Sequence, residues 1–463
     1  MKVFLFFIHI TLISILADSR VCANDTLSLE TYLDVVLDNH PLIQRAHLFD
    51  DITEAYELKG KGALDPKLSS NYDRKDFNNT DYFTIWQSEA KIPTVLPVDL
   101  AVGYERNDGV FLSDQNSVPK HGLVYGTINL SVLRGLLFDD QRYNMRLSEV
   151  NGIKSQIEKE IVIREIIYQA INAYLDWAKA QNEFNINQNY LQLVRDRHQN
   201  VLELFENGAN PAMDTIESRL NINSANKIYI SSNDKLIKST QKVSLFVWDL
   251  EGNPLQLNAE VKPDEFRYVI SKLREMSLLI NPEFVNDPLI MKIDIENESI
   301  QLANRLEREN LKPQLDLKYN FIVDMGKDNL APSFSPNDYK YGVGFQYPIL
   351  NRKSRGEIKL NESIMQQNEF DKLQYLGTLN NKFEGLVSRV DLQDEMLSVV
   401  QEKIDNSQLL YEAEQLKFSL GESSVFLLNQ RERKLLEART ELVKNYTSLG
   451  VILNELYYLK LGQ

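Results

Sequence analysis

Two hydrophobic rhythms alternate along this chain. The first has a period of three and a half residues. Stepping by four and three from Ile163 meets Ile167, Ala170, Tyr174 and Trp177 and ends at Phe205, with nine of thirteen positions apolar. A second series runs in the same way from Leu376 through Phe383, Val390 and Leu397 to Phe418, with eight of thirteen apolar. Such a seam, held over six heptads, indicates coiled-coil packing of long helices. It predicts helices over about 142–206 and 355–420, the first about 95 Å long. Each is followed by a second helix, over about 211–248 and 424–459. Both seams turn polar at one heptad site, at Gln181, Gln188 and Arg195 and again at Asp394, Gln401 and Gln408. Aromatic and amide residues there fit a wide assembly of helices better than a tight two-stranded zipper.

The second rhythm has a period of two, which marks strands. Leu315, Leu317, Tyr319, Phe321 and Val323 alternate with mostly polar neighbours, as do Tyr341, Val343, Phe345, Tyr347 and Ile349. Upstream, Val98, Leu100, Val102 and Tyr104 do the same, and Val124, Ile128, Leu130 and Val132 share a face. Strands of about ten residues with one apolar, Tyr- and Phe-rich face suit a transmembrane barrel. A half-buried soluble sheet has a similar pattern.

The two rhythms occur twice. His40-Pro41-Leu42-Ile43 returns as Asp287-Pro288-Leu289-Ile290, 247 residues on, and Asp65-Pro66-Lys67-Leu68 returns as Lys312-Pro313-Gln314-Leu315 at the same offset. Further along, Phe205-Glu206-Asn207-Gly208 matches Phe418-Ser419-Leu420-Gly421 at an offset of 213. Arg142 and Arg355 also stand 213 apart, so the first copy holds 34 extra residues between Pro66 and Arg142. The organisation expected is a leader over 1–23, a first repeat over 24–250, a linker over 251–285 and a second repeat over 286–463. The first repeat has strands within 65–133 and a helical hairpin with its tip at 207–211. The second has strands within 313–350 and a tip at 420–424. Gly208 ends its helix, Asn210 is positioned to cap the next one, and Pro211 suits its first position.

Composition narrows the reading. The 463 residues carry 51 Lys and Arg against 66 Asp and Glu, a net charge of −15, which disfavours nucleic acid as a partner. Five His and one Cys exclude a disulfide scaffold and a Cys-rich metal site. Lys2, the apolar run from Val3 to Leu16, and Val21 and Ala23 before a cleavage point read as a secretory signal peptide. Cys22 is the one position to weigh for lipid attachment, but Arg20 and Val21 do not suit a lipobox. No other segment has the ~20 apolar residues of a membrane-spanning helix. The exported chain can cross a bilayer only as strands.

The leader, the duplicated helix–strand–strand–helix order, Leu27-Ser28-Leu29-Glu30 with Asn39-His40-Pro41, and Phe205-x-x-Gly208 with Asp214 and Arg219 resemble the TolC family of outer-membrane efflux proteins. The resemblance spans the whole exported chain. Its motifs are degenerate, and order and spacing carry it. It implies an α+β membrane protein. Long antiparallel helical hairpins form an α-barrel tunnel, and a transmembrane β-barrel is shared by a homotrimer in outer-membrane lipid.

The resemblance also implies a passive exit duct of a tripartite efflux or type I secretion system. Its partners are a periplasmic adaptor (membrane fusion protein) and an inner-membrane pump of RND, ABC or MFS type. The implied docking tips are Phe205, Gly208 and Pro211, and Phe418, Gly421 and Ser424. Asp214, Glu217, Leu427 and Gln430 fall at the implied periplasmic entrance. Gln430 departs from the acidic residue the family often carries there.

The family usually has two strands per repeat. Here the extra residues add strand-like runs over about 82–92 and 98–106. The expectation is a hairpin standing apart from the barrel, the alternative an eighteen-stranded barrel. Gly208 and Gly421 also suit any helical hairpin, and Asp214 and Glu217 also suit a solvated helix face. Tyr72, Trp86, Tyr104, Tyr319 and Tyr341 are candidates for aromatic girdles. His40 and His47 share a helical face, but no third ligand accompanies them. No catalytic grouping, cofactor motif or metal signature is present, so an enzyme is not expected. The competing reading is an exported periplasmic coiled-coil scaffold without channel activity.

Overall fold

The computed structural model describes residues 26–258, 260–278, 283–325 and 335–462. The leader and Cys22 lie outside them. The helices are α1 (Leu29–Asn39), α2 (Pro41–Lys61), α3 (Asp140–Glu206), α4 (Ala212–Ser244), α5 (Phe266–Met276), α6 (Pro288–Asn310), α7 (Arg352–Ser419) and α8 (Val425–Lys460). The longer strands are β1 (Lys67–Phe77), β2 (Thr80–Ile92), β3 (Val98–Asp108), β4 (Leu123–Ser131), β5 (Gln314–Asp324) and β6 (Tyr339–Gln346). They form one antiparallel sheet in the order β1-β2-β3-β4-β5-β6. Thr26–Leu27 also pairs with Lys262–Pro263 in parallel.

The chain divides into two compact units. One comprises the residues up to Leu48, 159–290 and 375 onward, and the other 49–158 and 291–374. The first unit is helical. Its core is built on α3, whose Ile171, Tyr174, Leu175 and Trp177 are fully buried together with Tyr32 of α1, Leu273 of α5 and Ile452 of α8. Tyr174 ties the layers together. Its hydroxyl donates to the Leu27 carbonyl at 2.8 Å and accepts from the Asp264 amide at 2.9 Å. Gly450 of α8 permits the close approach, since a Cβ there would lie 2.7 Å from the Leu175 side chain.

The α3 seam is buried from Ile167 to Trp177 and again at Leu191. In α7 the buried Leu379, Leu386 and Val400 stand beside the expected seam, whose Tyr411 is buried and whose Leu376, Phe383, Val390 and Leu397 are half-buried against the core. The 251–285 segment, for which the sequence predicts no definite helix, contains α5. That helix buries Phe266, Val269, Ile270 and Leu273 along one face.

The second unit holds the six-stranded sheet and the helical segments beside it in sequence. Gly60 and Gly152 let α2 and α3 pack closely: a Cβ at Gly60 would lie 3.1 Å from Ser148, and one at Gly152 would lie 3.4 Å from Thr53. Phe138 is buried beneath the Arg305 guanidinium, which lies 4.4 Å from its ring.

The expected separate hairpin is corrected here. The 82–92 and 98–106 runs fall in β2 and β3, and both are hydrogen-bonded into the same sheet as β4, β5 and β6. Nine residue pairs join β2 to β3, from Thr84–Asp108 to Ile92–Leu100. β1 and β2 are joined by Asn78-Asn79, with φ of 50° and 56°. Positive φ at both central positions gives the type I′ turn that matches strand twist.

Candidate functional site: an inverted sheet and two hairpin tips

The pairing register sorts the strand residues onto two faces. One face carries Leu68 and Tyr72 of β1, Trp86, Ala90 and Ile92 of β2, and Val98, Leu100, Val102 and Tyr104 of β3. It continues through Val124, Ile128 and Leu130 of β4, Leu317, Tyr319 and Phe321 of β5, and Tyr339, Tyr341, Val343 and Phe345 of β6. All five girdle candidates lie on this face. The Trp86 and Tyr104 rings meet edge-on at 5.6 Å, and those of Tyr319 and Tyr339 stack at 5.8 Å.

The opposite face is polar and internally bonded. Thr127 bonds Asn320 at 3.0 Å, Ser131 donates to Asp316 at 2.8 Å, Tyr125 donates to Glu89 at 3.1 Å, and Lys91 pairs with Asp99 at 2.9 Å. Tyr125 lies across Gly103, where a Cβ would come within 2.2 Å of the ring.

Exposure runs opposite to that of a soluble sheet. Within the central strands Val102 is 56% exposed, Leu100 39% and Ile128 38%, whereas Thr127 is 5% and Ala101 7% exposed. A large exposed apolar area marks an interaction or membrane surface.

The two hairpin tips have the same backbone. At the first, Gly208 (φ 75°) donates to the Phe205 carbonyl and Ala209 to that of Leu204. At the second, Gly421 (φ 75°) donates to Phe418 and Glu422 to Lys417. These are Schellman terminations, and glycine supplies the left-handed residue. The helix starts differ. Ser424 caps α8, its hydroxyl accepting from the Leu427 amide at 3.3 Å. The expected Asn210 cap is absent: Pro211 occupies the cap position of α4 and offers no side-chain bond.

The remaining sequence-predicted positions separate by environment. Phe205 is exposed, while Phe418 packs against the cluster of Tyr411, Leu428 and Leu435. Asp214 and Glu217 are half-buried in the first turns of α4, and Leu427 and Gln430 are exposed in those of α8. Around them stand exposed apolar side chains, among them Met213, Ile216 and Leu220 on α4 and Leu416 and Leu420 at the second tip.

Sequence reasoning missed the polar node behind the tips. Arg197 of α3 makes a bidentate pair with Glu432 of α8 at 2.5 and 2.8 Å. It also donates to Asn429 at 2.9 Å and reaches the Tyr411 hydroxyl of α7 at 3.5 Å. Asn221 of α4 donates to Asn429 at 3.1 Å and accepts from Tyr190 at 3.2 Å. The node thus joins all four hairpin helices. Burial works to lower the Arg197 pKa, but hydrogen bonding to Glu432 and its charge outweigh this and leave it raised.

Nearer the second tip, Ser423 and Arg431 engage Glu414. The Ser423 hydrogen bond, with Lys417 and Arg431 nearby, holds that carboxyl below its usual range. The Arg197 and Glu432 positions fall off the heptad seam, so periodicity did not signal them. His198, on the seam, meets Ser218 of α4 at 2.7 Å.

Among the described residues, no helix is long and apolar enough to cross a membrane, and no three metal-ligating side chains gather.

No family model and no curated protein sequence matches the chain. Solved structures do. The outer-membrane channel OprN superimposes with a TM-score of 0.64 at 12% identity, over 94% of this chain and 90% of that one. The CmeC outer membrane channel of Campylobacter jejuni gives 0.63 at 14% identity, over 94% and 86%. The open state of the Neisseria gonorrhoeae MtrE outer membrane channel gives 0.64 at 12%, over 94% and 89%. The chain therefore has the fold of these channels, as the resemblance to the TolC family implies.

Proposed function

We propose that this protein is an outer-membrane channel, the passive exit duct of a tripartite efflux or type I secretion system, working as a homotrimer. The observation that carries the reading is the inverted sheet, with apolar side chains outward and bonded polar ones on the other face. Water does not favour that arrangement and hydrocarbon does. An open sheet cannot lie in lipid with unpaired edges, so several copies must share a closed barrel. Under this reading the hairpins α3–α4 and α7–α8 line a periplasmic tunnel.

The exposed apolar residues around Phe205, Gly208 and Pro211, and around Phe418, Gly421 and Ser424, receive a periplasmic adaptor helix against helix. Asp214 and Glu217 then stand at the entrance, with Leu427 and Gln430 on the second hairpin. Three copies of Asp214 would form an acidic ring that favours cations. Adaptor docking opens the entrance, and an inner-membrane pump supplies the energy. The duct itself carries out no chemical step.

The test is single-channel conductance of the purified protein in a planar bilayer, with Asp214→Asn, Glu217→Ala and Gln430→Ala beside wild type. The expected result is steady conductance from a trimeric species, with reduced cation preference in Asp214→Asn. Silence from every variant, in protein that stays soluble without detergent, would favour a periplasmic scaffold instead.

A further inference from the structure

We infer that the assembled barrel has eighteen strands, closed by pairing of β6 of one copy with β1 of the next. This rests on the trimeric barrel proposed above and specifies how it closes. Four observations lead to it.

First, among the described residues β1 and β6 are the two free edges of one continuous sheet, and both are exposed along their whole length. Unpaired edges are templates for another strand. Second, six strands in strict alternation leave β1 and β6 running in opposite directions. Head-to-tail joining of copies is therefore antiparallel, as it is within the sheet, and a three-fold arrangement closes with no edge left over.

Third, the faces agree across the joint. Leu68 and Tyr72 of β1 lie on the same face as Tyr341 and Val343 of β6, so the apolar exterior continues from copy to copy. Arg74 also points to that face, but next to the Asn78-Asn79 turn. There it is paired with Asp76 at 3.1 Å and Asp81 at 3.6 Å.

Fourth, a narrower twelve-stranded barrel would need β3 as its edge. That would break the nine β2–β3 pairs and part Trp86 from Tyr104. β2 also has the composition of a barrel wall, with Trp86, Ala90 and Ile92 on the apolar face and Gln87, Glu89 and Lys91 on the polar one. Barrel diameter grows roughly in proportion to strand number, so the bore is about one and a half times that of a twelve-stranded barrel.

Cysteine cross-linking in the full chain tests this. In a Cys22→Ser background, Ser70→Cys on β1 is combined in turn with Tyr339→Cys, Tyr341→Cys, Val343→Cys and Phe345→Cys on β6. A parallel set uses Val102→Cys on β3 with the same partners. The expected result is oxidant-dependent covalent dimers and trimers for one β1–β6 register and none for β3–β6. Links from β3 to β6, or trimers without β1–β6 links in any register, would overturn the eighteen-stranded closure while leaving a channel. Absence of any trimer from the membrane fraction would instead remove the channel reading itself.

A second measurement needs no cysteine. Deletion of residues 67–92 should leave a four-stranded contribution and lower the size cut-off for neutral polymers entering the exit by about a third in radius. An unchanged cut-off with intact trimers would also overturn the proposal.

Discussion

His40 and Asp287 cap the equivalent helices of the two repeats, α2 and α6, in the same way. The Nδ1 of His40 accepts the Leu42 amide at 3.3 Å, and Oδ1 of Asp287 accepts the Leu289 amide at 2.9 Å. Each cap residue is followed by a proline at the first helical position, where the missing N–H costs nothing. Only the histidine loses its acceptor on protonation.

That difference makes the first cap sensitive to acid. Burial lowers the His40 pKa, and burial with the Arg219 charge lowers that of His198. The folded chain thus binds fewer protons than the unfolded chain in the window below the ordinary value of about 6.5. Stability from these groups is complete above that value and falls as pH drops through the lower folded values. Thermal melting from pH 7.5 to 5 should show a declining midpoint, and His40→Asn, which keeps an acceptor, should flatten it. Parallel curves for the two proteins would contradict this assignment.

The Arg197–Glu432 pair predicts a non-additive double mutant. Glu432→Leu leaves a buried guanidinium without its anion and should cost about 3–5 kcal/mol. Arg197→Met with Glu432→Leu should recover much of that loss. The measurement is denaturant unfolding followed by helical circular dichroism, and equal losses in the single and double variants would count against an ionic node. The same logic applies to Arg164 and Asp287, paired at 2.7 Å and fully buried. There Asp287→Ala removes a helix cap as well.

Gly208 and Gly421 meet no neighbouring atom where a Cβ would stand, so their requirement is purely conformational. Alanine at either should cost about 1–2 kcal/mol, and asparagine, which tolerates the left-handed region, less. Unfolding midpoints of the four single variants check the order. Adaptor capture by each folded variant then separates a stability effect from a docking effect.

The two sheet faces predict opposite responses to charge. Leu317→Lys on the apolar face should cost about 2–4 kcal/mol if the residue sits near the bilayer midplane. Gln87→Lys on the polar face should leave trimer yield unchanged and shift ion selectivity. Comparable membrane yields for both would rule out a lipid-facing surface.

Periodicity made the long helices and most strands legible, because those elements bury or expose whole stripes. It also put Tyr104, Tyr319 and Tyr341 in the apolar rows of their strands, but that these share one face with Tyr72 and Trp86 emerges only from the pairing register. It failed for the separate hairpin, since strand pairing depends on edge availability and register, which local pattern does not encode. Asn210 read as a cap because its side chain suits one, yet the Schellman turn at Gly208 shifts the cap position to Pro211. The Arg197–Glu432 node was invisible because its partners lie 235 residues apart and each alone resembles an ordinary surface charge.

A sheet that ends in two open edges has a consequence in time as well as in space. A single copy in water exposes an oily face, and in lipid it leaves two rows of amides and carbonyls without partners. If the copies share a barrel as proposed, neither environment offers a single copy a resting place, so folding of the strand region and meeting of the copies become one event. The rate at which functional protein appears should therefore rise more steeply than linearly with the amount of chain delivered. Until that meeting, the cell must shelter the unfinished strands from one another.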